Sequence, residues 1–467
     1  EMLRSLVGSE MCIRDRNMME KISFYGALFG AKMINHGLHL FKSAGTSLPG
    51  VVALKISSNF LSFLSKYCKK DIVTVTGTNG KTTTSGLLAH ILKMSDNTVL
   101  HNEKGANMLS GIASSLAVNY KPFSSFDYAV LESDEAYLTK LYDYLKADYL
   151  LVTNLFRDQL DRYGELDTTA KKIQEAVTKN PQLKLFINAD DPMLLELGKD
   201  NKRIYFGFDN ITYKNSIQES QAPAEAVYCP CGSDLFYEKR YYAHIGRYCC
   251  PECKKTRPEP DYKGYAVIYD DCSEIYLKFK QDNQEKELCF KTNLVGLYNA
   301  YNALAAISAA LELKISPDII QKGLDTYKSI FGRAEKFNVK GKNVLVQLIK
   351  NPTGASEVLR TVNSSTCAKL LIIINDNYAD GRDVSWLWDA DFEMLKDYPH
   401  KIVVSGVRAY DMAVRLKYAG FDASKIEVKN NIKEAFYYCL DSIEQGEQLL
   451  VMPTYTALLE MQKFARK

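Results

Sequence analysis

The sequence predicts an α/β protein: two parallel-sheet units in tandem, with a small cysteine-rich module inserted in the first. Three observations carry this reading. Apolar stretches of strand length alternate with helical stretches along most of the chain, the pattern of a parallel sheet covered on both faces. A glycine-containing turn, Gly77-Thr78-Asn79-Gly80-Lys81-Thr82, separates the first strong strand from a helix. Five of the eleven cysteines fall between Cys229 and Cys253, where there is no long apolar run.

Each element has its own signal. Residues 1–17 lack the apolar core and small-residue cleavage site of a signal peptide; they read as a leader or cloning scar, with the natural start expected near Met18 or Met19. Up to about residue 70, apolar residues recur at helical spacing among Lys, Ser and Asn. DIVTVTG (71–77) is a strand and 81–94 a helix. FDYAVLES (126–133), ADYLLVTN (147–154), KLFINADD (184–191) and RIYFGFD (203–209) are further strands. The pattern breaks over 213–265, the inserted module, and strands or hairpins resume at 264–291. GLYNAYNALAAISAALEL (296–313) is an Ala- and Leu-rich amphipathic helix. After FGRAEKF (331–337) a Rossmann-like unit follows, with strands at 343–349, 369–376, 401–406 and 447–453. The expected domains are therefore 18–330, with 213–265 inserted, and 331–467.

Composition narrows the function classes. At 46% hydrophobic and 25% charged, the chain is not mainly disordered. A net charge of +3 gives no support for nucleic-acid binding driven by bulk charge. No apolar run approaches the roughly 18 residues of a membrane-spanning helix.

The most informative segment is VTVTGTNGKTTTSGLL (73–88). Glycines let the backbone approach a phosphate, and the amides and helix N-terminus behind them favour an anion. Lys81 supplies charge for the β/γ-phosphates, and the Thr82 hydroxyl is placed to ligate Mg²⁺. Val75 stands where the general P-loop has its first Gly, so this is a shorter GTNGKT form. Glu132, at the end of an apolar strand, is a candidate Mg²⁺ ligand. TNLFRDQLDRYGE (153–165) crowds Asn154, Arg157, Asp158, Gln159 and Asp161 beside another strand end, with solvated helix charge as the competing reading.

Two later segments add chemistry. Cys229-Pro-Cys231 and Cys250-Pro-Glu-Cys253 fit a four-cysteine zinc ribbon, which is structural because no coordination position is left open. Cys249 is an alternative ligand. DNYADGRDVSWLWDADFE (376–393) places acids and both tryptophans beyond a strand's C-terminal end, where doubly wound domains carry function. Core packing of Trp386 and Trp388 is the competing expectation.

GTNGKTTT, LESDEA, TNLFRDQLDRYGE, GLYNAYNALAA and FGRAE, in this order, resemble the Mur ligase superfamily, which forms amide bonds by phosphorylating a carboxylate with ATP. The resemblance implies a central ATP-binding domain followed by a Rossmann-like C-terminal domain. It implies nucleotide contacts from Gly77, Thr78, Asn79, Gly80, Lys81, Thr82 and Thr83, adenine contacts from Asn299 and Asn302, a nucleotide role for Arg333, and Mg²⁺ at Thr82 and Glu132. There are departures: Gln159 stands where the family has a metal-binding His, Tyr298 where it has His, and Gln347 and Lys350 where a DYAH-type motif has Asp and His.

The ribbon, KNPTGA (350–355) and the 376–393 segment together resemble the branch of that superfamily that amidates lipid II. That implies ATP-dependent conversion of the α-carboxylate of D-glutamate in the stem peptide to the carboxamide. The ammonia would come from a separate GatD-type glutaminase, with this chain as one half of a heterodimer. Asp383 would orient the partner's catalytic His, with Asp380 the alternative and Asp376 the least suited of the three. It further implies a cytoplasmic protein, not integral to the membrane, acting at the membrane's inner face. Two alternatives stay open: a Mur- or folylpolyglutamate-type amino-acid ligase, and a zinc-ribbon protein that uses ATP as a binding switch.

Overall fold

The computed structural model describes residues 2–40, 47–103, 106–121, 124–157, 166–214, 227–328, 333–362 and 367–465, with side chains left out at 2–17, 39–40, 166–167 and 333–334. The leader expected at 1–17 thus has no described side chains; its backbone continues into helix α1, Met2–Leu40.

The first unit is a nine-stranded sheet. Its strands in chain order are β1 (Ile72–Thr76), β2 (Val99–His101), β3 (Tyr128–Glu132), β4 (Tyr149–Val152), β5 (Lys184–Asn188), β6 (Arg203–Tyr213), β9 (Tyr262–Ile268), β10 (Ser273–Gln281) and β11 (Gln284–Thr292). Their order across the sheet is β11-β10-β9-β6-β5-β4-β1-β3-β2. All neighbours are parallel except β9-β10-β11, an antiparallel meander. β1 lies between β3 and β4, where the winding direction reverses, so its C-terminal end opens on the switch-point crevice.

Side chains on alternate faces explain why β1 is wholly buried. Val73 and Val75 enter an apolar cluster with helices Lys81–Met94 and Leu297–Glu312, while Ile72 enters another beneath α1 and α2 (Leu48–Ile56). Thr74 is buried too, its hydroxyl 2.6 Å from Tyr142 Oη.

The second unit is a six-stranded sheet ordered β12-β13-β17-β14-β15-β16. It comprises β12 (Arg333–Val339), β13 (Lys342–Gln347), β14 (Cys367–Ile373), β15 (Ile402–Ser405), β16 (Ile426–Val428) and β17 (Gln448–Pro453), parallel but for the β12–β13 hairpin.

The inserted module holds the hairpin β7 (Phe236–Tyr242) and β8 (Ile245–Cys249). It is narrower than 213–265: β6 runs on to Tyr213, and β9 has already joined the main sheet at Tyr262. The compositional change marked the module but not its edges, because β6 and β9 are themselves rich in Tyr and charge.

A buried ionic node ties this module down. Asp190 is fully buried at the end of β5 and accepts hydrogen bonds from Tyr301 Oη (2.7 Å) and the Phe208 amide (2.8 Å), with Arg257 Nε at 2.5 Å. Its carbonyl accepts from the Gly246 amide at the hairpin. Burial pushes the Asp190 carboxyl up and Arg257 draws it back. Removing one partner of such a pair costs about 3–5 kcal/mol, because the other charge stays buried.

A candidate phosphate-transfer site at the exit of the first strand

The loop after β1 turns on two glycines. Gly77 has φ +120° and Gly80 φ +87°, both in the region glycine favours. Space is also closed to a side chain. A Cβ on Gly77 would lie 2.4 Å from Thr153 Oγ1, and one on Gly80 would lie 2.0 Å from Asn302 Oδ1. The loop is held by the end of β4: the Thr78 amide donates to Asn154 O (2.9 Å) and the Asn79 amide to Asn154 Oδ1 (2.9 Å). Asn302 donates to Asn299 Oδ1 (3.3 Å) and accepts from Thr84 Oγ1 (3.3 Å), which seats helix Leu297–Glu312 on the loop.

Lys81 and Thr82 open the next helix. Lys81 Nζ donates to Gly77 O and, at 2.8 Å, to Glu135 Oε1, in a pair buried on both sides. Burial pushes the Glu135 carboxyl up, while the Lys81 charge pulls it down. Thr82 Oγ1 donates to Glu132 Oε1 at 3.0 Å. Asn107 Nδ2 reaches the same oxygen at 3.5 Å. Glu132 Oε2 is buried and has no hydrogen-bond partner among the described residues. A buried carboxylate oxygen without a partner is costly, and a hard divalent cation is the ligand such an oxygen, beside a threonine hydroxyl, suits.

The second sheet closes over this loop. Asn79 and Asn351 exchange side-chain amide hydrogen bonds at 3.0 and 3.4 Å across the domain boundary. Asn351 also caps helix Pro352–Arg360 by accepting from the Gly354 amide. Between the domains lies a cavity walled by Asn79, Gly80 and Thr83 of the loop and its helix, Tyr298, Asn299 and Asn302 of the long helix, and Gln347, Lys350 and Glu357 of the second unit. Tyr242, from the tip of the module's hairpin, completes the wall, its ring 5.6 Å from Phe156. Arg360 joins the same corner, bonding Glu357 (3.0 Å), Tyr213 Oη (3.1 Å) and Tyr241 O (3.4 Å).

The structure thus brings Asn79, Gly80 and Thr83 of the loop to one cavity with Asn299 and Asn302, and joins Glu132 to the same loop through Thr82. Arg157 is paired with Asp389 of the second unit at 3.1 Å. Asp158, Gln159 and Asp161 lie outside the described residues, as does the Arg333 side chain, though its backbone starts β12. Glu135, Asn351 and Tyr242 were not singled out from sequence. Glu135 sits in the quoted LESDEA, in the first turn of helix Glu135–Leu141, and Asn351-Pro352 is a helix-start signal; Tyr242 carries no signal at all.

The four cysteines also converge. The Sγ atoms of Cys229, Cys231, Cys250 and Cys253 all lie within 4.8 Å of one another, and Cys249 stays outside the group. Tetrahedral coordination with metal–sulfur bonds of about 2.3 Å needs sulfurs about 3.8 Å apart, which this set fits. The Ser233 hydroxyl and amide hold the Cys231 thiol down to about 6.

All three loop acids accept hydrogen bonds. Asp376 holds Arg408 (2.7 and 3.0 Å), and buried Asp380 accepts from the Thr456 amide and hydroxyl. Asp383 is half-buried and accepts from the Ser385 amide, which with nearby Arg157 holds its carboxyl below the usual range. The tryptophans separate: Trp386 is buried, and Trp388 is exposed beside Tyr418.

Residues 75–231 match the Mur ligase middle domain and 348–458 the MurT ligase C-terminal domain. The subunit MurT of lipid II isoglutaminyl synthase (glutamine-hydrolyzing) from Streptococcus pneumoniae is 38% identical over 424 residues, 90% of this chain and 92% of that protein. The chain belongs to the MurT family. The Staphylococcus aureus (strain COL) MurT is 36% identical over 440 residues, 93% of this chain and 96% of its own length. As a MurT family member, the chain is an ATP-dependent ligase with the Mur ligase fold, and membership implies ATP and Mg²⁺. The fold is shared with a pseudomurein peptide ligase type C from Methanothermus fervidus (TM-score 0.66, 24% identity, 86% of this chain and 80% of that one). It is shared also with MurF from Acinetobacter baumannii (TM-score 0.61, 18% identity, 91% and 80%).

Gly80→Ala is expected to misplace the loop. The left-handed backbone costs about 1–2 kcal/mol for a residue with a Cβ, and Asn302 must also move. Isothermal titration should show ATP binding weakened at least tenfold, in a protein that still melts cooperatively.

Proposed function

We propose that this chain is the synthase subunit that amidates the α-carboxylate of D-glutamate in the stem peptide of lipid II, giving D-isoglutamine. The observation that carries the proposal is the buried Glu132 Oε2, without a hydrogen-bond partner among the described residues, on a carboxylate that the Thr82 hydroxyl meets next to Lys81 in sequence. ATP would lie along the cavity, its base near Asn299 and Asn302 and its phosphates on the loop amides. Thr82 and Glu132 would hold Mg²⁺, which when bound neutralises charge on the terminal phosphates. Lys81 would exchange Glu135 for phosphate oxygens, supplying positive charge where negative charge develops.

The substrate carboxylate oxygen attacks the γ-phosphorus, the bond to ADP breaks, and an acyl phosphate results. Ammonia's lone pair then forms the C–N bond as the C–O bond to phosphate breaks, with the surplus proton lost to solvent. Lys350 and Gln347, in the cavity wall, take the place of the Mur motif's charged pair.

Ammonia would come from a GatD-type glutaminase partner, since no nucleophile motif joins Cys and His in this sequence. Asp383 is the least buried of the three loop acids, and a carboxylate there would fix the tautomer of such a partner's histidine. Tyr378 and Trp388 of the same segment are exposed, with Tyr418 exposed beside Trp388, and these residue types are enriched at interfaces. Because lipid II is membrane-anchored, the reaction would take place at the cytoplasmic face of the membrane. The four cysteines would hold a structural Zn²⁺, and their hairpin would carry Tyr242 into the cavity wall.

Lys81→Ala should lower amidation of lipid II by roughly 100–1000-fold, read by mass spectrometry as loss of the carboxyl-to-carboxamide change; unchanged turnover would remove the site. Asp383→Ala should cut glutamine-driven amidation by roughly 10⁴-fold and leave ammonium-driven amidation near normal. Equal loss with both nitrogen sources contradicts the orienting role. Elemental analysis should return about one zinc per chain, and chelation should raise the KM for ATP, because the hairpin behind Tyr242 loosens.

A further inference from the structure

We propose that the face built by α1, from Met18 onward, and α2 is a peripheral docking surface for an anionic lipid bilayer. On α1, Ile22, Phe29 and Met33 are 55%, 69% and 58% exposed, and their spacing puts them on one side of the helix. Gly26 and Gly30 lie on the same side and let α2 approach: a Cβ on Gly30 would be 2.8 Å from Ile56 Cδ1, and Ile56 is itself exposed. The apolar stripe therefore continues from α1 onto α2.

The segment that carries this stripe is basic. From Met18 to Lys70 the sequence has seven lysines and one acid, Glu20, a balance of +6 in a chain whose total is +3, so the remaining residues sum to −3. Glu20 is paired with Lys66 at 3.5 Å. Lys21 and Lys55 are exposed directly beside Ile22 and Ile56. An apolar stripe flanked by lysines, with its one acid already paired, matches a surface that is apolar within and anionic at its head groups. Among the described residues no single helix is long and apolar enough to cross a membrane; helices Leu48–Ile56 and Phe60–Tyr67 reach that apolarity only together, across a 93° bend.

The face is joined to the site. Helix Leu109–Asn119 packs against α2 so closely that a Cβ on Gly50 would be 1.8 Å from Ser110 O, and Ser114 Oγ accepts from the Gly50 amide at 2.7 Å. The loop entering that helix places Asn107 on Glu132. A head group leaving the bilayer at α2 would meet the crevice through this one packed unit. That last step rests on the proposed function; the membrane contact itself does not.

The test is sedimentation of the full chain with vesicles, read without catalysis. Phosphatidylglycerol vesicles should carry the protein down, phosphatidylcholine vesicles should not, and rising salt should weaken the binding. The double variant F29E/M33E should abolish it, and Lys21→Gln and Lys55→Gln should weaken it about fivefold each, with melting temperature and ATP affinity retained. Lys81→Ala should bind vesicles normally, so a failed amidation assay with intact vesicle binding sinks the activity reading alone. The docking proposal falls if the folded protein ignores phosphatidylglycerol at low salt. It falls equally if F29E/M33E binds vesicles as well as the parent, or if it only converts a dimer to monomer in ultracentrifugation.

Discussion

Asn302 Oδ1 occupies the place a side chain on residue 80 would need, and Thr153 with Asn154 does the same at residue 77. This double exclusion sets the position of everything around the loop. It presses the backbone amides between β4 and helix Leu297–Glu312, and so puts the helix that begins at Lys81 in register with β3. Thr82 then meets Glu132 without further adjustment. Close packing of this kind transmits small displacements, which is why a contact formed far along the chain, at Asn302, decides the geometry at residue 80.

The inserted module is often the least constrained part of a fold, yet here it is anchored twice. The Asp190–Arg257–Tyr301 node fixes its exit strand to the central sheet and to the same helix that carries Asn299 and Asn302. Its hairpin tip contributes Tyr242 to the cavity and meets Arg360 of the second unit. The four cysteines hold the far end of an arm whose near end forms part of the nucleotide wall.

Much of this was legible from the residues. The helix over 81–94 and the strands around it announce themselves because apolar periodicity and glycine turns are local properties. The cysteine spacing identified the cluster, and geometry then set Cys249 aside, since it belongs to strand β8. What escaped is long-range. Tyr242 reaches the cavity only because the hairpin folds back across some hundred residues of chain to meet Phe156, and no local pattern encodes that. Asn351 was visible as part of KNPTGA, but its partner Asn79 lies in the other domain. Sequence placed Asp383 ahead of Asp380 and Asp376, but the contacts of Asp376 with Arg408 and of Asp380 with Thr456 are long-range and visible only in the fold.

The amide exchange between Asn79 and Asn351 joins the two sheets over the crevice with neutral groups only. Each such bond is worth about 1 kcal/mol net, since water offers the same partners. Ionic strength scarcely touches it, and thermal motion breaks it easily. The same two units are also joined by charged groups, Arg157 to Asp389 and Arg360 to Tyr213 and Tyr241, and the exposed Arg157–Asp389 pair, unlike the clasp, is open to screening by salt.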